Sequence, residues 1–170
     1  MVENEELLQV FDENKNMLNE SVKRSLKKNL TNGKHFMIIL MFIENDGKFL
    51  IQKSSIEKGS EYATTGGHVT YCDNGFITCK KEVSEELGIQ LKDDEIEYID
   101  TIDYKNCFCE IYYSSKYINV SELKLQDEEV ECVNWFSKEE IENLIKNNQF
   151  RKSNIEAFNI IMEYKKKTIK

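Results

Sequence analysis

The chain has 170 residues, 40% of them hydrophobic and 32% charged, and a net charge of −8. That length and mix suit one soluble globular domain, residues 1–170, whose core needs no covalent staples. The acidic balance excludes a general nucleic-acid binder, which presents a surplus of Lys and Arg to phosphates, but not a small anionic substrate, because a bound cation reverses the local sign.

In chain order, the opening "MVENEELL" has no basic region ahead of an apolar stretch, so no secretory signal is expected. The segment "ELLQVFDENKNMLNESV", ending at Val22, reads as two short strands around an Asp-Glu-Asn-Lys-Asn turn, an N-terminal β-hairpin. A basic stretch, "KRSLKKNLTNGK", closes on the turn signal Asn32-Gly33. The runs "HFMIILMFIE" and "KFLIQKSS" flank Asn45-Asp46-Gly47 and form the clearest hairpin of the sequence. The first of them is apolar throughout, as a central strand covered on both faces would be. It is much shorter than the ~20 residues of a membrane span.

After "ATTGGHV" the pattern turns helical from Asn74 to Leu87, and Gly88 is placed to end that helix. Strands are predicted at "EIEYIDTIDY", "CFCEIYYSSKY" and "EVECVNWFS". Ser137 then caps "KEEIENLIKNN", with Glu140 completing a capping box. A last amphipathic helix, "NIEAFNIIMEYKKK", ends in lysines that suit its negative terminus. The pattern is that of one α+β or α/β domain. Five cysteines without a CxxC spacing, two of them (Cys107 and Cys109) on one strand face, indicate free thiols in a reducing compartment. A cytoplasmic protein is expected.

The candidate chemistry lies in "KKEVSEELGI", residues 80–89. On a helix, Glu82, Glu85 and Glu86 occupy i, i+3 and i+4 and share one face, while Phe76, Cys79, Val83 and Leu87 take the core face. Such a trio is either a solvated acidic surface or a set of hard oxygen ligands for Mg²⁺ or Mn²⁺. Gly66-Gly67 before the helix and Gly88-Ile89 after it favour the second reading. His68, next to the glycines, is a candidate substrate contact or a structural imidazole. Asp73 alone reads equally as a helix N-cap. Trp135 and Phe136 read as core residues.

The spacing Gly67, five residues, Asp73, seven residues, Lys81-Glu82-Val83-Ser84-Glu85-Glu86-Leu87-Gly88-Ile89 resembles the signature of the Nudix hydrolase family. That signature is Gly, five residues, Glu, seven residues, Arg-Glu-hydrophobe-x-Glu-Glu-x-Gly-hydrophobe. With usage near 7% for each, five such Gly and Glu matches coincide by chance roughly once in a million positions. The resemblance implies an α/β/α sandwich with a mixed β-sheet. It implies a metal-dependent diphosphate hydrolase acting on a nucleoside diphosphate derivative or similar small molecule. Glu82, Glu85 and Glu86, with a backbone carbonyl of Gly66 or Gly67, would hold Mg²⁺. Glu129, or Glu128, from "LQDEEVECVNW" would serve as general base, and Lys53 would meet the substrate's phosphates. Asp73, Lys81 and Gly88 would support the motif.

Three positions depart from the pattern. Asp73 stands for Glu and Lys81 for Arg, so the usual two-pronged pairing reduces to a single expected contact. Cys72 replaces a common glycine, which predicts an unusual path for that turn. These departures keep open a module that binds a nucleotide without cleaving it. "FDENKNML" and "LIQKSS" also resemble the early region of isopentenyl-diphosphate isomerase, so the isomerase-like Nudix hydrolases look most similar. Isomerisation itself needs a cysteine where "ATTGGHV" stands, and none lies between Gly59 and Tyr71. Neither a nucleic-acid polymer nor a membrane is an expected partner. A homodimer, the commonest closed assembly, is compatible with the resemblance without being specified by it.

Overall fold

The apolar run Phe36–Ile43 lies within the longest strand, and the other elements are arranged around it. The computed structural model describes residues 5–168. In order these form β1 (Leu7–Asp12), β2 (Met17–Lys23), β3 (Lys34–Asn45), β4 (Lys48–Ser54), β5 (Tyr62–Ala63), β6 (Thr65–His68), α1 (Gly75–Leu87), β7 (Glu97–Tyr104), β8 (Cys107–Ser114), β9 (Val130–Ser137), α2 (Lys138–Lys146) and α3 (Lys152–Thr168). The N-terminal hairpin forms as the sequence predicts. Its turn is held by the Asp12 carboxylate, which accepts from the backbone N–H of Asn14 and Asn16 at 2.8 and 2.9 Å. The basic stretch after it winds into a 3₁₀ helix, Arg24–Asn29, rather than remaining a simple connection to the Asn32-Gly33 turn.

β3 runs antiparallel to β1 and β6 and parallel to β8, and β7 pairs antiparallel with β8. The hairpin expected at Asn45-Asp46-Gly47 carries the chain into β4, which pairs with β5 and β9. Asp46 and Gly47 both have positive φ, 49° and 76°, the twist that a two-residue hairpin turn demands. The sheet is mixed, and successive β3 side chains feed opposite cores. Met37, Ile39, Met41 and Ile43 pack with Cys79, Val83 and Leu87 of α1. Leu40 and Phe42 pack on the other face with Ile141 of α2 and Phe158 and Ile161 of α3. Helices therefore cover both faces, giving the α/β/α sandwich.

Local signals set the helix ends. Asn74, not Asp73, is the N-cap of α1, its side chain accepting from the Ile77 N–H at 2.9 Å. Ser137 and Glu140 form the reciprocal box at α2. Among the described residues no helix is long and apolar enough to cross a membrane.

The second core depends on Phe158, which meets Phe49 at 5.4 Å and Phe42 at 6.3 Å between ring centroids. Phe158→Ala should destabilise the fold by about 3–5 kcal/mol, the range for deleting a fully buried aromatic. Urea unfolding followed by circular dichroism measures this, and a loss below about 1 kcal/mol would contradict the packing described.

Candidate active site

Helix α1 is fixed at both ends, and this sets the rotation that aims its acids. Gly88 terminates it with φ 68°, and a Cβ there would fall 2.8 Å from the Lys124 carbonyl oxygen. Val83 and Leu87 take the core, so Glu82 and Glu86, one turn apart, stand at the helix edge against β6. A Cβ on Gly67 would lie 1.9 Å from Glu82 Oε1. Only glycine lets that carboxylate lie against the strand. Gly66 is equally constrained, since a Cβ would come within 2.4 Å of the Ile39 carbonyl oxygen. Gln52 Nε2 donates to Glu86 Oε2 at 2.9 Å, while Gln52 Oε1 accepts from Thr65 Oγ1 at 3.0 Å. The threonine thus orients the amide so that its NH₂ faces the glutamate.

Both carboxyls are held well above the ordinary carboxylate range. Glu82 is pushed up to about 8, first by burial and then by repulsion from Glu86 and Glu85. Glu86 is pushed up to about 7 by burial, opposed by the Gln52 hydrogen bond and reinforced by the Glu129 charge. The charged forms are disfavoured because water solvates them poorly there, and among the described residues no Lys or Arg pairs with Glu82.

Glu85 does not join them. It is exposed and borders a shallow depression with Lys80, Lys81, Ser84 and Gln90. At about 100° per residue, i and i+4 are about 40° apart, whereas i+3 falls about 60° to the other side. Of the three acids expected on one face, Glu86 lines the cavity, Glu82 lies against Gly67 in its wall and Glu85 is turned to solvent. Accordingly, among the described residues no three His, Cys, Asp or Glu side chains approach closely enough to enclose a metal. The donor set fits an open site instead, because Mg²⁺ characteristically uses one or two carboxylates and completes its shell with water and substrate phosphates.

Glu86 and Gly67 face a cavity of about 530 Å³. Glu129, on the loop before β9, lines it and is ion-paired with Lys58 at 2.9 Å. Its neighbour Glu128 instead gives its backbone carbonyl to the Ser55 hydroxyl. His68 also lines the cavity, with Nε2 2.6 Å from Lys27 Nζ. Its imidazole is pushed down to about 3 by burial and then by Lys27 and Arg24, so it is neutral and accepts from the ammonium. Lys53 does not reach the cavity. Strand alternation gives the cavity to Gln52 and Ser54, and Lys53 pairs with Glu131 at 3.0 Å on the outer face.

The motif's departures are accommodated. Lys81 Nζ meets Asp73 Oδ2 at 2.5 Å, one contact in place of a bidentate pair. Cys72 sits in the left-handed region, φ 70°, where glycine is usual, and its N–H donates to Gln9 Oε1 at 3.0 Å. Trp135 donates to the Ile118 carbonyl and stacks on Tyr117, outside the cavity. The thiols of Cys79, Cys107 and Cys109 are pushed up to about 12 by burial, which removes them as nucleophiles. Arg24, Lys27, Gln52 and Arg151 line the cavity without any sequence motif to mark them.

Residues 34–158 match the NUDIX domain model. The chain belongs to the NUDIX domain family. No curated protein matches it in sequence. Among solved structures it resembles the Deinococcus radiodurans protein DR0079, with TM-score 0.72, 15% identity and coverage of 92% of this chain and 98% of that one. It also resembles a NUDIX hydrolase from Nitrosomonas europaea, with TM-score 0.61, 19% identity and coverage of 76% and 88%. A third is a bifunctional NMN adenylyltransferase/ADP ribose pyrophosphatase from Francisella tularensis, complexed with AMP and a manganese ion. That match has TM-score 0.65 and 15% identity and covers 83% of this chain and 44% of that one. At these identities the likeness is one of fold.

The raised carboxyls link protonation to stability. Folding raises Glu82 from 4.5 to about 8 and Glu86 from 4.5 to about 7. The native state therefore binds these protons more tightly than the unfolded chain. The resulting stability is complete below about pH 4.5 and is lost as pH rises through 7 to 8. In chelator, the melting temperature should fall from pH 5.5 to pH 8.5, less steeply in Glu82→Gln/Glu86→Gln. Mg²⁺ should raise it more at the higher pH. Parallel pH profiles for the two proteins would refute the shared-charge site.

Proposed function

We propose that this NUDIX-family chain is a pyrophosphohydrolase that cleaves the diphosphate linkage of a nucleoside diphosphate derivative with the help of Mg²⁺ or Mn²⁺. The observation that carries this reading is the seating of Glu82 against Gly67 with Glu86 one turn away, Gly67 and Glu86 both lining a cavity large enough for a small molecule. Glu82 and Glu86, with the Gly67 backbone carbonyl, would hold the ion. Once bound, it would neutralise diphosphate charge and lower the pKa of a water molecule.

The chain's own groups supply the rest. Gln52 keeps the Glu86 carboxylate aimed into the cavity through its 2.9 Å hydrogen bond. Glu129, held on the cavity wall by Lys58, accepts the proton of the attacking water at a carboxylate oxygen. The water oxygen bonds to one phosphorus while the bridging P–O bond breaks, and its electron pair leaves with the second phosphate. Glu85, at the outer edge, adds negative field around Glu82. The manganese and AMP of the Francisella tularensis protein are consistent with this chemistry on the same fold. Five free cysteines suit a reducing cytoplasm.

A binding module without catalysis is the competing reading, motivated by Asp73 and Lys81. The intact contact between them leaves the helix start supported and so favours hydrolysis. The test is a panel of nucleotide sugars, dinucleoside polyphosphates, nucleoside triphosphates and isopentenyl diphosphate, assayed with Mg²⁺ and Mn²⁺. Glu86→Gln should lower phosphate-releasing turnover at least a hundredfold, with an unchanged circular dichroism spectrum, because it removes a formal charge from the metal site. Full activity in that variant would reject the assignment. Tight nucleotide binding with no product from any compound would establish the binding module, and double-bond migration in isopentenyl diphosphate an isomerase.

A further inference from the structure

The same cavity has a second, cationic end that diphosphate chemistry leaves unused. Arg24 and Lys27, both from the 3₁₀ helix after the N-terminal hairpin, line it together with His68 and Phe36. Most cations of the cavity are committed to acids. Arg24 pairs with Glu6 at 2.9 Å, Lys58 with Glu129 at 2.9 Å and Arg151 with Glu61 at 3.2 Å. Lys27 is different. Among the described residues no carboxylate lies within ion-pair distance of it, although it is half-buried. Its ammonium donates to His68 Nε2 at 2.6 Å and lies 5.2 Å from the centre of the Phe36 ring. Both contacts position the ammonium, and neither carries a negative charge.

The distance between the two ends follows from the strand register. Gly66, whose backbone N–H bonds Glu86, pairs with Leu40, and His68 pairs with Ile38. Ile38 and Leu40 are two residues apart, about 7 Å at roughly 3.3 Å each. That is wider than the single bridging oxygen that joins the two phosphorus atoms of a diphosphate. The floor between the ends is apolar, formed by Ile38 and Leu40.

We propose that Lys27, held by His68 and Phe36, binds a second anionic group of the substrate, a phosphate or carboxylate remote from the diphosphate, so that the compound carries an anion at each end of an apolar or flat body. This rests on the diphosphate reading of the acidic end, but the anion site itself does not depend on hydrolysis. A half-buried ammonium without a counter-ion gains most from a charged acceptor, and a neutral substrate tail would leave it uncompensated.

The test separates the two claims. In chelator, inorganic phosphate titrated into the full chain should shift the His68 imidazole resonances saturably. Lys27→Gln should weaken that binding at least tenfold, and Glu86→Gln should retain it. Hydrolysis is then compared for two diphosphate substrates that share a body, one with a terminal phosphate or carboxylate and one without. Lys27→Gln should raise KM at least tenfold for the first and less than threefold for the second, with little change in kcat. Failure of phosphate to perturb His68 in the wild type would overturn the anion site whatever the enzyme hydrolyses. Equal losses for both substrates would overturn the second-anion claim by assigning Lys27 to the diphosphate itself. Phosphate binding without hydrolysis of any diphosphate would sustain the anion site and reject the hydrolase reading alone.

Discussion

The contact between the Glu82 carboxylate and the backbone of Gly67 governs the rest of this structure. Burying acidic oxygens beside a strand is unfavourable, because desolvation and mutual repulsion both oppose the charged form. The chain tolerates it because α1 is held from behind. Cys79, Val83 and Leu87 are fully packed against β3, Asn74 caps the start, and Gly88 ends the helix in a conformation that suits glycine. An apolar face that must be buried leaves the helix no freedom to rotate Glu82 and Glu86 back into solvent. Burial of the acids and stability are opposed across one helix, with the core face holding the acids in place.

β3 makes that arrangement possible. Its odd residues fix α1 and its even residues fix α2 and α3, so one strand sets the positions of both outer layers. The same alternation determines the cavity wall, since Ile38 and Leu40 lie in line with His68 and Gly66 across the β3–β6 register. The Asp46-Gly47 turn then returns the chain into β4 so that Gln52 reaches Glu86. A one-residue slip in β4 would present Lys53 there instead and place a cation where an amide now sits.

What the sequence made legible was local. The central strand, the Asn45–Gly47 hairpin, the Ser137–Glu140 box and the end of α1 at Gly88 each follow from residues within one turn of each other. The acidic cluster was readable for the same reason, but only to the resolution of a helical face: Glu86 lines the cavity and Glu82 lies against Gly67 beside it, while Glu85 falls on the solvent side. Lys53 was misplaced because strand parity relative to a cavity depends on partners distant in sequence, here β5 and β9. Lys27 and Arg24 were illegible for a related reason. Their segment carries no recognisable motif, and only the fold of the preceding hairpin brings it over the cavity.

The division of charge within the cavity answers the acidity of the whole chain. A protein of net charge −8 repels any polyanion at long range, so attraction for one has to be built locally. Two of the available cations, Lys58 and Arg151, are already neutralised by Glu129 and Glu61, and Arg24 is neutralised by Glu6. Such pairs orient acids and shape walls, but they contribute little net field. Positive potential is then left to the ion that Glu82 and Glu86 would recruit and to Lys27. A site of this kind discriminates by geometry more than by affinity, because two separated attractors reward only an anion pattern of matching length.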